Sequence, residues 1–365
     1  MIPISKPIIG EEEISLVNNA VKSGWVSSQG NYIQEFETLF ANYCGTKHCV
    51  LLANGTVAIH LALATLGIGP GDEVIVPDFT FVATANAVRT AGAIPVFVDV
   101  RESDWCMDPL DVLRKITNKT KAIIPVHIYG HPAEMETLNK IAIENGLYVI
   151  EDAAEAHGAE YKGKKVGGLG TLATFSFFGN KIVTTGEGGA ITTDSDEIAH
   201  KARILRDHGM SLNKRYWYDE VGFNYRMTNL QAALGVAQMG KIEDFIKQRD
   251  EILMTYRFYL EKEGFKLNPH LINTRPVNWI TCVLIDGLNH EKRDLIQKKL
   301  LDNGIDSRPF FYPVSSLPMY ESDIQLSISN KLSNTGINLP TYPGLTSADI
   351  EFISNAFIQA VKSFL

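Results

Sequence analysis

Glu73-Val74-Ile75-Val76, Ile94-Pro95-Val96-Phe97-Val98, Ala122-Ile123-Ile124-Pro125-Val126 and Leu147-Tyr148-Val149-Ile150 are four short, nearly unbroken apolar runs. Amphipathic stretches at 79–91, 108–116 and 134–145 lie between and beside them, and another at 54–67 comes before the first. Apolar runs without polar alternation predict strands covered on both faces. Strands that alternate with helices predict a mostly parallel sheet with helices on either side. From Asn54 to about Ile191 the fold class is therefore α/β. In such a sheet ligands gather beyond the carboxyl ends of the strands, so the residues following each run are the ones to inspect.

After Asp194 the pattern changes. Residues 196–206 and 228–262 read as helices, Val277 to Ile285 as a strand, and 289–303 and 347–363 as further helices. This predicts a smaller C-terminal α+β domain with its own sheet, to which the N-terminal segment contributes. A chain of 365 residues is more than one core usually fills. The expected division is 1–245 for the large domain and 246–365 for the small one, with the linker inside the long helix.

The 34 basic and 42 acidic side chains give a net charge of −8, which argues against nucleic acid or anionic membrane held by bulk charge. An anionic small ligand needs only a local cluster of donors. Met1 to Lys6 hold no apolar signal core, Glu11-Glu12-Glu13 follow, and no apolar run is long enough for a bilayer. A cytoplasmic location is expected. Cys44, Cys49, Cys106 and Cys282 form neither a CxxC pair nor a zinc spacing, so they read as small buried hydrophobes and no metal is expected.

Pyridoxal 5′-phosphate (PLP) chemistry has distinct requirements, and this sequence has a candidate for each. A lysine must form the Schiff base: Lys181 lies in Phe175-Ser176-Phe177-Phe178-Gly179-Asn180-Lys181-Ile182-Val183. Desolvation among aromatics lowers an amine's pKa and makes it nucleophilic. Gly186, Gly188 and Gly189 follow, where backbone can pass close to a ligand. An acid must keep the ring nitrogen protonated: Asp152 stands directly after the run ending at Ile150-Glu151. The phosphate needs donors, and Asn54-Gly55-Thr56 opens a helix whose N-terminus suits an anion. Ser176 adds a hydroxyl, and Phe81 follows the first run and can stack on the ring. Each has a bland alternative: Asp152 as a turn cap, Asn54 as a plain N-cap, Phe81 as core. Gly168-Leu169-Gly170-Thr171-Leu172-Ala173 matches a dinucleotide-binding pattern, but it neither follows a clear strand nor opens a helix.

Asn54-Gly55-Thr56, Glu151-Asp152-Ala153-Ala154, Ser176 to Lys181 and Gly186-Glu187-Gly188-Gly189 occur in this order. Together with Gly24 to Gly30 and Arg308-Pro309-Phe310-Phe311-Tyr312-Pro313, the set resembles the DegT/DnrJ sugar aminotransferases, a fold-type-I PLP family. The resemblance implies that Asp152 pairs with the pyridine nitrogen, that Phe81 stacks on the ring, and that Gly55, Thr56 and Ser176 hold the phosphate. It also implies a homodimer with active sites shared between subunits, Asn224 reaching the other subunit's phosphate. Many relatives carry Gln or His where this chain has Glu155, near the phenolic oxygen, and Glu155 suits a narrower subgroup.

That subgroup implies transfer of an amino group from L-glutamate to C4 of GDP-4-keto-6-deoxy-D-mannose, an O-antigen precursor step. A related dehydratase on the same sugar has His in place of the lysine, so Lys181 favours transamination. His127, Arg308 and Tyr312 are candidates for the nucleotide-linked keto sugar, with His131 beside His127. A structural histidine is the other reading of His127, and no second ligand stands at metal spacing from either. Other nucleotide-linked keto sugars (UDP or dTDP, at C3 or C4) and a non-enzymatic ligand sensor remain open at this point.

Overall fold

The computed structural model describes residues 1–320, 324 and 326–364. Its centre is a seven-stranded sheet of β1 (His48–Leu52), β2 (Glu73–Pro77), β3 (Ile94–Val98), β4 (Thr120–Ile123), β5 (Tyr148–Asp152), β6 (Leu172–Ser176) and β7 (Gly189–Thr193). The spatial order is β1-β7-β6-β5-β4-β2-β3. The pairs β2–β3, β2–β4, β4–β5 and β5–β6 are parallel, while β7 runs against both β6 and β1. Because only β7 is reversed, its first residue lies at the same edge of the sheet as the carboxyl ends of the others.

Both faces are buried, as the unbroken apolar runs require. Leu51, Ile75, Ile123, Val149, Ala173 and Phe175 pack on one face, and Val50, Val76, Ala122, Ile150, Leu172 and Ile191 on the other. Helix Gly55–Thr65 covers the second face with Ala58, Ile59 and Leu61. Asn54 caps it, its side chain accepting from the Val57 N–H at 3.0 Å. Before this core run two helices, Glu11–Ser23 and Asn31–Cys44. The second places Phe36 and Phe40 against Phe177 and Phe175.

A second sheet, four-stranded, holds Lys266–Leu267, Thr281–Leu284, Arg308–Pro309 and Gly336–Leu339. Helices Ile242–Leu260, His290–Asp302 and Ser347–Lys362 cover it through Leu253, Tyr256, Ile296, Ile353 and Phe357. Helix Ile242–Leu260 gives Phe245 and Ile246 to the large core and Ile252 onward to this one.

Three expectations need correction. The helix expected over 228–262 is two helices, Asn229–Met239 and Ile242–Leu260, broken at Gly240, whose low helix propensity offers the interruption. Lys241 just after the break turns its amine to the buried Glu13 at 2.7 Å. The strand expected over 277–285 is confined to Thr281–Leu284, because the Val277 N–H is taken by the Gly130 carbonyl at 3.0 Å. The N-terminal segment does not join the second sheet; Ile2 makes one isolated bridge to Ile305. Among the described residues no helix is long and apolar enough to cross a membrane.

Candidate active site

A cavity of ≈ 880 Å³ opens at the carboxyl edge of the large sheet. Asn54, Gly55 and Thr56 line it after β1, Thr80 and Phe81 after β2, and Asp152 and Glu155 at the end of β5. Ser176 and Lys181 enter after β6, and Arg308 and Tyr312 from the second sheet. The fold thus gathers into one space residues more than two hundred positions apart.

The side chain of Lys181 is 11% exposed, and its Nζ lies 3.9 Å from Glu155 Oε1. Burial lowers the lysine pKa, opposed by the charges of Glu155 and Asp152. Burial in turn raises the Glu155 carboxyl to about 7, with Lys181 and the Tyr129 N–H pulling it down. That N–H donates to Glu155 Oε2 at 2.7 Å. Asp152 is also pushed up by burial, while Thr84 Oγ1 donates to its Oδ2 at 2.7 Å and the Ala154 N–H to its Oδ1 at 3.2 Å. A neutralised or hydrogen-bonded acid in a dry pocket, beside an amine of lowered pKa, is an arrangement suited to proton transfer.

The residues present fit PLP. The helix N-terminus at Gly55 aims first-turn N–H groups that have no partner within the helix. The cradle around it admits no extra atom. A Cβ at Gly55 would stand 2.7 Å from Ser176 Cβ, and one at Gly189 would stand 2.4 Å from the Asn54 carbonyl oxygen. Thr80 Oγ1 and Asn180 Oδ1 are buried in residues lining the cavity, without a hydrogen-bond partner among the described residues. Phe81 is 56% exposed at the rim, with its ring free to cover a flat ligand.

Two candidates stand apart from this cavity. His127 is a correction: it is fully buried and does not line the space. Its Nε2 bonds Glu151 Oε2 at 3.1 Å, and its Nδ1 accepts the Ala133 N–H at 3.0 Å. Both ring nitrogens are satisfied, which is the structural reading of that histidine. Glu151 also accepts from the N–H groups of Gly167, Leu169 and Gly170, so the glycine-rich loop that mimics a dinucleotide motif holds a buried carboxylate. Asn224 is exposed, outside its own chain's cavity, and accepts from Arg226 at 3.2 Å.

The sequence reading missed several residues. Thr84 has no motif of its own. Tyr129 and Trp279 line the cavity, their rings nearly parallel 6.2 Å apart, and Tyr129 stacks on Phe311 at 5.2 Å. His131 is not without neighbours, as its spacing suggested: ligand-type atoms of Asp104, Cys106 and His131 lie within 4.8 Å of one another. Arg101 already holds the Asp104 carboxylate, so the cluster reads as a closed ion pair beside a thiol and a neutral imidazole.

Three comparisons place this geometry among known proteins. The chain is 45% identical to a GDP-perosamine synthase of Vibrio cholerae, over 97% of this chain and 98% of that protein. It is 46% identical to a GDP-perosamine synthase of Caulobacter vibrioides, over 99% and 98%. Among solved structures, Spr1654 from Streptococcus pneumoniae, described as a sugar aminotransferase and solved in its PLP form, superposes with a TM-score of 0.95 at 27% identity. That match covers 100% of this chain and 99% of that one. The DegT/DnrJ/EryC1/StrS aminotransferase family matches residues 7–358. The chain belongs to that family and is a PLP-dependent transaminase.

Proposed function

We propose that this enzyme moves the amino group of L-glutamate to C4 of GDP-4-keto-6-deoxy-D-mannose, giving GDP-perosamine and 2-oxoglutarate for O-antigen synthesis. The observation that carries the reading is the near full-length identity, 42–46%, to three proteins named GDP-perosamine synthase. The site supports it with a buried amine and a buried acid on one cavity wide enough for cofactor and sugar together.

Bound PLP supplies an aldehyde for the lysine and a ring that draws electrons from the reacting carbon. In this reading Lys181 holds the aldehyde and then carries a proton at Nζ. Asp152 holds the ring nitrogen protonated, with Thr84 fixing its carboxylate. Gly55, Thr56 and Ser176 hold the phosphate, Phe81 covers the ring and Glu155 faces the phenolic oxygen. Arg308 and Tyr312, on the cavity wall, take the anionic nucleotide sugar. The enzyme is a homodimer in which Asn224 reaches the phosphate in a second copy. The exposure of Asn224 and of the cavity-rim residue Phe178 supports that part.

The test is mass spectrometry of the product formed from GDP-4-keto-6-deoxymannose and glutamate. A preference for a UDP- or dTDP-linked keto sugar defeats the assignment. Shared sites are tested by mixing inactive Lys181→Met and Asn224→Ala subunits: recovery of activity is expected, and its absence argues for self-contained sites.

A further inference from the structure

Trp279 stands beside the reacting amine, yet it comes from the chain leading into the second sheet. Several contacts fix it there. Its Nε1 donates to the Asn180 carbonyl at 2.7 Å, next to Lys181 in sequence. Its own carbonyl accepts from Arg249 Nη1 at 2.6 Å, and the same nitrogen donates to the Thr341 carbonyl at 3.0 Å. Two residues earlier, the Val277 N–H bonds the Gly130 carbonyl. Gly130 has φ +92°, and a Cβ there would stand 1.8 Å from the Val277 oxygen, so only glycine permits this approach. The backbone bonds fix where Trp279 stands, and the indole, 8% exposed, cannot turn without breaking its Nε1 bond.

Lys181 Nζ lies over the face of that indole, 4.1 Å from the ring centroid. Indole is the side chain whose ring face attracts a cation best, and the attraction grows when the pair is desolvated. Glu155 Oε1 is 3.9 Å from the same nitrogen. A lysine that alternately holds an aldehyde and carries a proton is a free amine for part of every turnover. In a pocket this dry, its protonated form needs a partner that keeps it near the reacting carbon.

We propose that Trp279 is a positioning residue whose indole face, together with Glu155, holds the amine of Lys181 in its protonated form whenever that amine is not attached to the cofactor. Its consequence for turnover rests on Lys181 being the cofactor-holding lysine. The contact itself is tested without that premise.

Competitive labelling of the full-length, cofactor-free chain with trace acetic anhydride over a pH series reads the protonation midpoint of Lys181 through its peptide. The midpoint is expected to fall in the order wild type, Trp279→Phe, Trp279→Leu, with about a tenfold loss of ammonium form for the Leu variant. Equal shifts in the two variants would mean that only the Nε1 bond to Asn180 matters, since neither keeps that donor, and would overturn the proposal. So would an unchanged midpoint. A reciprocal measurement covers the case in which Trp279→Leu does not fold. Lys181→Met should alter the tryptophan fluorescence of the wild-type background and leave that of Trp279→Phe unaltered; equal changes in both overturn it. The graded shift in a chain that takes up no PLP would refute the functional reading and leave this contact standing.

Discussion

Replacing Thr84 with Val keeps the volume of the side chain and removes one donor from a buried carboxylate. Asp152 is 5% exposed, and its two hydrogen bonds come from Thr84 Oγ1 at 2.7 Å and the Ala154 N–H at 3.2 Å. A hydrogen bond to a charged group contributes about 1.5–3 kcal/mol, which is roughly one to two pKa units. Burial already holds the Asp152 pKa above its ordinary value, and losing the Thr84 donor raises it further. With a folded pKa above the unfolded one, the native state binds more protons between the two values. Stability is then full below the unfolded pKa and falls as pH rises through the folded one. The variant should therefore match wild type near pH 4 to within a neutral hydrogen bond. It should lie about 1.5–3 kcal/mol below it at pH 8. Urea denaturation of the cofactor-free chain across that range measures the difference. PLP titration at neutral pH should show weaker binding, because the carboxylate proposed to face the ring nitrogen is harder to ionise. A stability loss that is constant with pH would refute the reasoning, since it would mean that Thr84 does not act on a charge.

Glu155→Gln should flatten the stability profile. The wild-type carboxyl, raised to about 7, contributes stability below its unfolded pKa near 4.5 that is lost as pH rises through 7, and Gln has no such proton to lose. Urea midpoints over that interval check this, and parallel slopes in the two proteins contradict it. Gly189→Ala places a Cβ 2.4 Å from the Asn54 carbonyl oxygen, against backbone that cannot easily move. A loss of about 1–3 kcal/mol and weaker PLP binding are expected from thermal melts and titration. His127→Ala leaves the Ala133 N–H without its acceptor and takes one donor from Glu151. It should cost about 1–3 kcal/mol of stability while the KM for the proposed nucleotide-sugar substrate stays near wild type. A selective rise in KM restores His127 to the substrate site.

How much of this was legible depends on where each signal lives. The runs at 73–76, 94–98, 122–126 and 147–150 are legible because burial on both faces demands consecutive apolar residues, and strands lie at all four. β7 is less so: Gly189-Ala190-Ile191-Thr192-Thr193 is short and half polar, its threonine hydroxyls satisfied by the carbonyls of Gly167 and Thr171. Trp279 was hidden inside an apparent strand, because the bond that peels Val277 away comes from Gly130, far off in sequence. The Asp104–Cys106–His131 cluster was hidden for the same reason. Thr84 belongs to no pattern: nothing about a threonine at the start of helix Ala83–Thr90 says that an aspartate 68 positions later sits above it.

Glu151 and Asp152 show where sequence reasoning stops and what completes it. Successive residues of a strand point to opposite faces, so one of this pair must leave the site. Glu151 has the parity of Val149, which packs with Ala173 and Phe175, and loop amides and His127 hold it there. Asp152 has the parity of Ile150, which packs with Leu172 and with Ala58, Ile59 and Leu61 of helix Gly55–Thr65. Ser176 has the parity of Leu172, and so lies on that face too; its Cβ is the atom a side chain at Gly55 would strike. The acid, the hydroxyl and the helix N-terminus therefore share one face of the sheet through two strand alternations and the packing of that helix. A one-residue slip of β5 would turn Asp152 toward the loop amides and leave the cradle without its acid, so the register of a buried strand fixes the chemistry of the site.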